Sequence, residues 1–265
     1  MPKVSIFLLV FLILFSFLGS FFYTVDPTLL SKTDILLPPS MNHLFGTDRL
    51  GRDILARVIE GGQVSLLIGI GSALISSFVG FILGAMAGYF KGIVDKTFVV
   101  MVDLFLTFPT FFLLLALVSY VNASIWVLIV IISVTGWMTT ARLVRSESFA
   151  ISTKPFIKIL NIAKVKKSKI LLKYYAPLLA PIFFVSFTFG VGGAILAESG
   201  LSFLGLGIVP PQMSWGSIMS EGKEVIEIAW WVSFFPGLMI FLVTFSLINI
   251  SNYLQKLTNK KNLQH

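Results

Sequence analysis

An all-α polytopic membrane protein of about six transmembrane helices is the fold class this sequence predicts, and three observations carry the prediction. Of 265 residues, 56% are hydrophobic and only 12% charged, and the mean hydropathy is +0.94, values outside the range of soluble domains. Six segments, 4–23, 65–90, 98–121, 125–141, 175–197 and 231–254, come near the roughly 20 apolar residues that a hydrocarbon core demands of a helix. None alternates polar and apolar residues as a membrane barrel strand does, so each must satisfy its own backbone as a helix.

Taken in order, the first span follows a single cation, Lys3, and reaches Asp26 with no small-x-small cleavage pattern. It therefore reads as a retained anchor and not as a secretory leader. The polar segment after it mixes Lys32, Arg49, Arg52 and Arg57 with Asp26, Asp34, Asp48, Asp53 and Glu60. In the second span Gly80, Gly84 and Gly88 stand four apart on one face, a spacing that lets helix backbones approach closely in lipid. Gly190, Gly192 and Gly193 in the fifth span receive the same reading. The third span contains Asp103 and Phe108-Pro109, the fourth is short, and the fifth carries Pro177 and Pro181.

Between the fourth and fifth spans lie nine Lys or Arg (Arg142, Arg145, Lys154, Lys158, Lys164, Lys166, Lys167, Lys169 and Lys173) against one acid, Glu147. Cations at that density beside a span resist translocation, which predicts a cytoplasmic connection. Alternation then places the loop at Lys91 and Lys96, the tail with Lys256, Lys260 and Lys261, and both termini in the cytoplasm. Residues 199–230, with Glu221, Glu224 and Glu227 against Lys223, fall outside, as does 26–64, whose cations run against the rule. Three parts follow: an anchor helix and external segment (1–64), a transmembrane core with a cytoplasmic loop at 141–174 (65–254), and a cytoplasmic tail (255–265).

Within that loop, Ser152 and Thr153 can cap a helix, Pro155 suits its first turn, and Phe156, Ile159, Leu160 and Ala163 follow at helical spacing. The result is a short amphipathic helix. Its cations suit lipid headgroups, or hold the helix at the membrane while its apolar face enters a groove on a soluble partner.

Composition also excludes chemistry. There is no cysteine, and His43 and His265 are the only histidines, so no thiolate site, metal site or covalent catalysis is expected. His43 reads as plain loop surface. No phosphate-cradling Gly-Lys-Ser/Thr loop is present, so this chain is not expected to bind ATP or to act as an enzyme. The formal charge of +8 is accounted for by topology and lipid, not nucleic acid. Glu198 and Asp103 are the acids nearest hydrocarbon depth, where carboxylates mark a pathway or a bonded partner.

The run Phe45-Gly46-Thr47-Asp48-Arg49-Leu50-Gly51-Arg52-Asp53-Ile54-Leu55-Ala56-Arg57 resembles the GTD-x-x-GRD-x-x-x-R segment of inner-membrane permease subunits from ABC importers of the dipeptide, oligopeptide and nickel group. Ala87-Gly88-Tyr89-Phe90, Ala141-Arg142-Leu143-Val144-Arg145, residues 196–207 and Ser214-Trp215-Gly216 match that family in order. The resemblance implies a type I ABC importer permease-like bundle, multi-pass in a bacterial inner membrane. It also implies a second homologous permease subunit, two cytoplasmic ATP-binding subunits holding ATP and Mg, and an external solute-binding protein. Gly46, Thr47, Asp48, Arg49, Gly51, Arg52 and Asp53 would serve binding-protein docking or an external gate. Glu198, Ser202 and Asp103 would lie on the translocation path. Pro155, Phe156, Ile157, Lys158, Ile159, Leu160, Ala163 and Lys164 would form the coupling helix.

There the sequence departs from the family's Glu-Ala-Ala, Gly, Pro pattern. Lys158-Ile159-Leu160 and Lys164 stand at the aligned places, and only Pro177 survives. The implied cargo is peptides or nickel/nickel-chelate, with residues 103–110 closer to the nickel branch. The alternative, an ion-gradient-driven secondary transporter, would call for inverted repeats and several intramembrane ionisable groups, and the sequence offers no convincing sign of either.

Overall fold

The computed structural model describes residues 2–262, and among them the regular structure is helical, with one isolated bridge between Thr47 and Asp53. The helices are α1 (Lys3–Phe22), α2 (Ile54–Phe90), α3 (Gly92–Thr107), α4 (Thr110–Val118), α5 (Ile125–Ser152), α6 (Pro155–Ile162), α7 (Lys167–Ile170), α8 (Ala176–Phe203), α9 (Trp215–Lys223) and α10 (Trp231–Asn262). A π-helical turn, Leu171–Tyr175, fuses α7 to α8. Five helices are long and apolar enough to cross a membrane, and α3 with α4, bent by 78°, make a sixth if the pair is one broken span and not a re-entrant loop. Five of the predicted spans are thus present with altered bounds, and the third falls on the bent pair.

Each altered bound has a local cause. The second span begins at Ile54, not at residue 65, because Asp53 caps it: Asp53 Oδ1 accepts from the Ala56 N–H at 2.9 Å. The third is broken at Phe108-Pro109. Pro109 offers no N–H and forces Phe108 into extended backbone (φ −90°, ψ 133°). The fourth continues to Ser152, since Arg142 and Arg145 find Asp103 and Asp95 as partners. Ser152 and Thr153 close this helix and do not cap the next. Their hydroxyls donate back to Phe149 (2.6 Å) and Ala150 (2.7 Å) carbonyls, and Lys154 is the N-cap residue of α6 without a side-chain bond. The predicted tail prolongs α10 as far as Asn262; residues 263–265, with His265, lie outside the described residues.

The predicted glycine face of α2 is where α5 docks. A Cβ at Gly80 would lie 2.6 Å from the Trp137 carbonyl oxygen, and one at Gly88 would lie 2.6 Å from Ser148 Cβ, while Gly84 faces the Ala141 carbonyl. The two backbones touch along parallel helices, and Ser148 Oγ donates to the Ala85 carbonyl at 2.9 Å to fasten the seam. Antiparallel to them, α8 packs Ile195 against Gly69, and α10 covers α8, with Ser251 Oγ donating to the Val185 carbonyl at 3.1 Å.

The glycines of α8 do not share one role. A Cβ at Gly190 would lie 3.2 Å from Ala73 Cβ, but one at Gly193 would meet nothing within 4 Å. Gly193 therefore opens space, contrary to the close-packed role expected for it.

This arrangement gives the bundle two unlike ends. One, the capped end, carries the 26–53 segment, α9 and the start of α2. The other, the basic end, carries α6, α7 and the ends of α2 and α5.

Candidate functional site

At the capped end the Gly-Thr-Asp and Gly-Arg-Asp residues fold into one ion-pair network. Asp48 is 1% exposed. It accepts from the Leu50 and Arg52 N–H groups (2.8 and 3.0 Å), from Arg52 Nε (2.6 Å) and from Arg57 Nη1. Glu221, arriving from α9, accepts from Arg52 Nη2 at 2.5 Å and from Arg57 Nη1 and Nη2 at 2.7 and 3.1 Å. Two acids thus enclose a buried arginine, in forked geometry that only a guanidinium supplies. Asp53, besides capping α2, accepts from Tyr23 Oη at 2.8 Å and faces His43 Nδ1 at 2.9 Å. Burial first, then the hydrogen bond to Asp53 and its charge, push the Tyr23 phenol above its ordinary pKa, which keeps it a donor.

Gly46 and Gly51 both take left-handed backbone, at φ +76° and +74°. A side chain at Gly46 would strike Trp231, whose Nε1 donates to the Thr47 carbonyl at 3.0 Å, and one at Gly51 would strike the Ser31 carbonyl. Of the predicted docking residues, Gly46, Thr47, Asp48, Gly51 and Asp53 are buried and Arg52 is nearly so. Arg49, paired with Glu224, is the one that stays open. His43 belongs to this cluster and is not plain surface.

Arg57 and Glu221 were not among the expected site residues. Arg57 could have been found, since its spacing from Asp53 places it one helical turn inside α2. Glu221 carried no local signal, because 164 positions separate it from Arg57.

Just beneath, Glu198 is fully buried. Its Oε1 accepts from Ser202 Oγ (2.7 Å) and Ser214 Oγ (2.6 Å), and its Oε2 from Ser65 Oγ (3.3 Å). Ser65 in turn accepts from the Trp215 N–H at 3.1 Å. A carboxylate in a cage of hydroxyls therefore ties α8 to α2 and α9. The matched blocks at 196–207 and 214–216 meet here: a Cβ on Gly216 would lie 2.5 Å from Ser199 Cα.

The expected path residues do not come together in one cavity. Glu198 and Ser202 are enclosed in their cage, and Asp103 forms a half-exposed pair with Arg142. A cavity of about 420 Å³ lies elsewhere, between α2, α4, α5 and α8, lined in part by Ser72, Ser76, Thr135, Gly136, Ser186 and Gly193.

At the basic end, α6 presents two faces. Ile157 is fully buried and Leu160 packs beside it, in a cluster with Ile151, Ile170, Tyr175 and Leu179. Tyr89 Oη, near the end of α2, bonds Asn161 Oδ1 at 3.2 Å. Phe156, Ile159 and Ile162, one turn apart, are exposed, with Ile162 81% accessible. Lys158 and Lys164 are exposed beside them.

The helix closes in a Schellman turn. Val165 N–H donates to the Leu160 carbonyl at 3.2 Å, Lys164 N–H to that of Asn161 at 3.1 Å, and Lys164 takes φ +52°. This is the position at which the related pattern has glycine, and the backbone still has the glycine shape. Lys164→Gly should therefore stabilise the chain by about 1 kcal/mol, read as a rise of about 2–4 °C in the melting temperature of the detergent-solubilised protein.

Comparison with known proteins agrees with this architecture. Residues 80–261 match the family described as "Binding-protein-dependent transport system inner membrane component". The oligopeptide transport system permease protein OppC of Haemophilus influenzae is 34% identical over 246 residues, 91% of this chain and 78% of that protein. The dipeptide transport system permease protein DppC of Bacillus subtilis is 33% identical over 258 residues, 97% of this chain and 81% of that one. A solved structure of the MetNI methionine ABC transporter in an inward-facing conformation superposes with a TM-score of 0.58 at 16% identity, covering 75% of this chain and 96% of that one. That likeness bears on the fold alone. With two peptide permeases matched across most of their length and the family model spanning α2 to α10, this chain belongs to the inner-membrane permeases of binding-protein-dependent ABC importers, in their peptide group.

Proposed function

We propose that the chain is one of two transmembrane subunits of an ATP-driven importer of peptides, forming half of the translocation path and a lever to separate ATPase subunits. The single observation that carries this reading is the geometry of α6. Its apolar stripe of Phe156, Ile159 and Ile162 is open and bordered by exposed lysines, while Ile157 keys the same helix into the junction of α5 and α8. A helix exposed on one face and anchored on the other takes a push from a docked partner and passes it to the spans.

In this reading the basic end, both termini included, is cytoplasmic. ATP and Mg sit on the two partner ATPases, and a second permease closes the other half of the wall. The capped end receives a solute-binding protein, with Arg49 and Glu224 at its open rim and the other Gly-Thr-Asp and Gly-Arg-Asp residues holding that rim in shape. Membership in the permease family displaces the ion-gradient alternative. We favour peptides over nickel because both relatives compared above are named as peptide permeases.

The absence of cysteine makes the topology directly testable. Single cysteines at Ser168 and Ser40, exposed at opposite ends, should react differently with a membrane-impermeant maleimide on intact cells. Ser40→Cys is expected to label and Ser168→Cys to label only after lysis, and ATPase subunits should co-purify with the tagged chain. Labelling of Ser168→Cys from outside, or peptide uptake by a preparation without an ATPase, would end the reading.

A further inference from the structure

The cavity of about 420 Å³ between α2, α4, α5 and α8, reached also by Gln255 of α10, has an uncharged and mostly apolar wall, with Leu114, Leu143, Val185 and Phe189 in its lining. Its lining residues among those described carry no charge, and serines and threonines of α2, α4, α5 and α8 are among them. Ser76 Oγ donates to the Ala73 carbonyl at 3.2 Å and Thr135 Oγ1 to the Ile132 carbonyl at 3.1 Å. A hydroxyl whose proton is spent on its own helix still offers lone pairs, so these two residues add acceptors to a mostly apolar wall. Ser186, 7% exposed, lines the same cavity with no hydrogen-bond partner for its Oγ. An unpaired buried hydroxyl is costly, and since this Oγ has no accessible surface of its own, a partner in the cavity reaches it once the Ser186 side chain rotates.

Gly193 adds an independent observation. A helix-interior glycine is unfavourable relative to alanine, and here no packing accounts for it, because an added Cβ would touch nothing within 4 Å. What glycine preserves at this position is the volume of the cavity itself.

We propose that this cavity holds the main chain of the passing peptide. Neutral acceptor oxygens of Ser76 and Thr135 receive amide N–H groups, Ser186 bonds a peptide carbonyl or N–H, and Gly193 leaves room for an extended backbone. With no charge in the wall, side-chain identity is left unread, so selection among peptides lies elsewhere in the transporter. The inference rests on the peptide-importer reading and names where that cargo binds.

The test is uptake of three labelled tripeptides, neutral, lysine-containing and glutamate-containing, by the purified complex in proteoliposomes. Gly193→Leu should slow all three at least about tenfold by filling the passage, and Thr135→Val and Ser186→Ala should each slow all three by about fivefold, the scale of one hydrogen bond. Gly193→Ala, a smaller intrusion into the same space, should slow uptake less than Gly193→Leu, and assembly is read separately from co-purification of the ATPase subunits. If Gly193→Leu fails to assemble, the two hydroxyl variants decide.

Wild-type uptake rates in the assembled variants, alongside loss of uptake in Ile159→Asp, would overturn the cavity assignment and leave the importer reading standing. A change confined to one side-chain class would overturn the assignment too. No peptide uptake by the wild-type complex would overturn both.

Discussion

Arg57→Ala should cost the fold about 3–5 kcal/mol, the scale for removing one partner of a buried ion pair. The arginine side chain is 2% exposed and its charge is shared between Asp48 and Glu221. Without it Asp48, 1% exposed, keeps a single charged partner, Arg52, and Glu221 loses two of its three bonds. The capped end should come apart before the membrane core does. Limited proteolysis is expected to cut within residues 26–53 of the variant, and its melting temperature in detergent should fall sharply. Arg57→Lys should recover only part of the loss, since an ammonium cannot place two donors on Glu221 and a third contact on Asp48. By contrast Arg49→Ala, at a solvent-exposed pair with Glu224, should change stability by less than about 1 kcal/mol. Equal effects from the two alanine variants would mean that the network does not hold the cap.

Ile159→Asp should separate ATP hydrolysis from uptake. Ile159 is 64% exposed in the isolated chain, so an acid there leaves folding and insertion intact. Against a partner's apolar groove the same acid must be desolvated, at a cost of about 3 kcal/mol, or roughly a hundredfold in docking. Phe156→Asp should act in the same direction, more weakly if the partner contacts only the exposed edge of the ring. Ile157→Asp should instead prevent folding of the basic end, because that side chain is fully buried. Leu160, which the amphipathic pattern groups with the docking residues, packs inward, so a substitution there would mix the two effects. Uptake and ATPase rates measured together in proteoliposomes distinguish the cases, and unimpaired uptake by Ile159→Asp would remove α6 from the coupling role.

The contrast between Ile159 and Leu160 shows how much of this protein is legible in its sequence. Period and length are local properties, so the long apolar helices, the glycine seam of α2 and the short helix at Pro155 could all be read. Where helices end was harder. Helix ends depend on caps and on whether a charge finds a partner, and Arg57, Arg142 and Arg145 find Glu221, Asp103 and Asp95 in segments distant along the chain. The Gly-Thr-Asp motif could be recognised but not its closing acid, because Glu221 approaches from another helix. Glu198 drew notice as an acid near the membrane, yet the serines that enclose it come from α2, α8 and the α9 cap. Lys164 is the reverse case: the side chain departs from the related pattern while its backbone keeps the shape glycine would adopt.

The glycine seam has a mechanical consequence. Helix α2 runs 37 residues without interruption, which makes it about 55 Å long, and its backbone contact with α5 stiffens it along much of that length. Such a beam bends little and swings instead. A tilt of about 5° at the lysine-rich end would sweep the far end through about 5 Å, enough to shift a buried arginine out of register with its acids without melting a single helical turn.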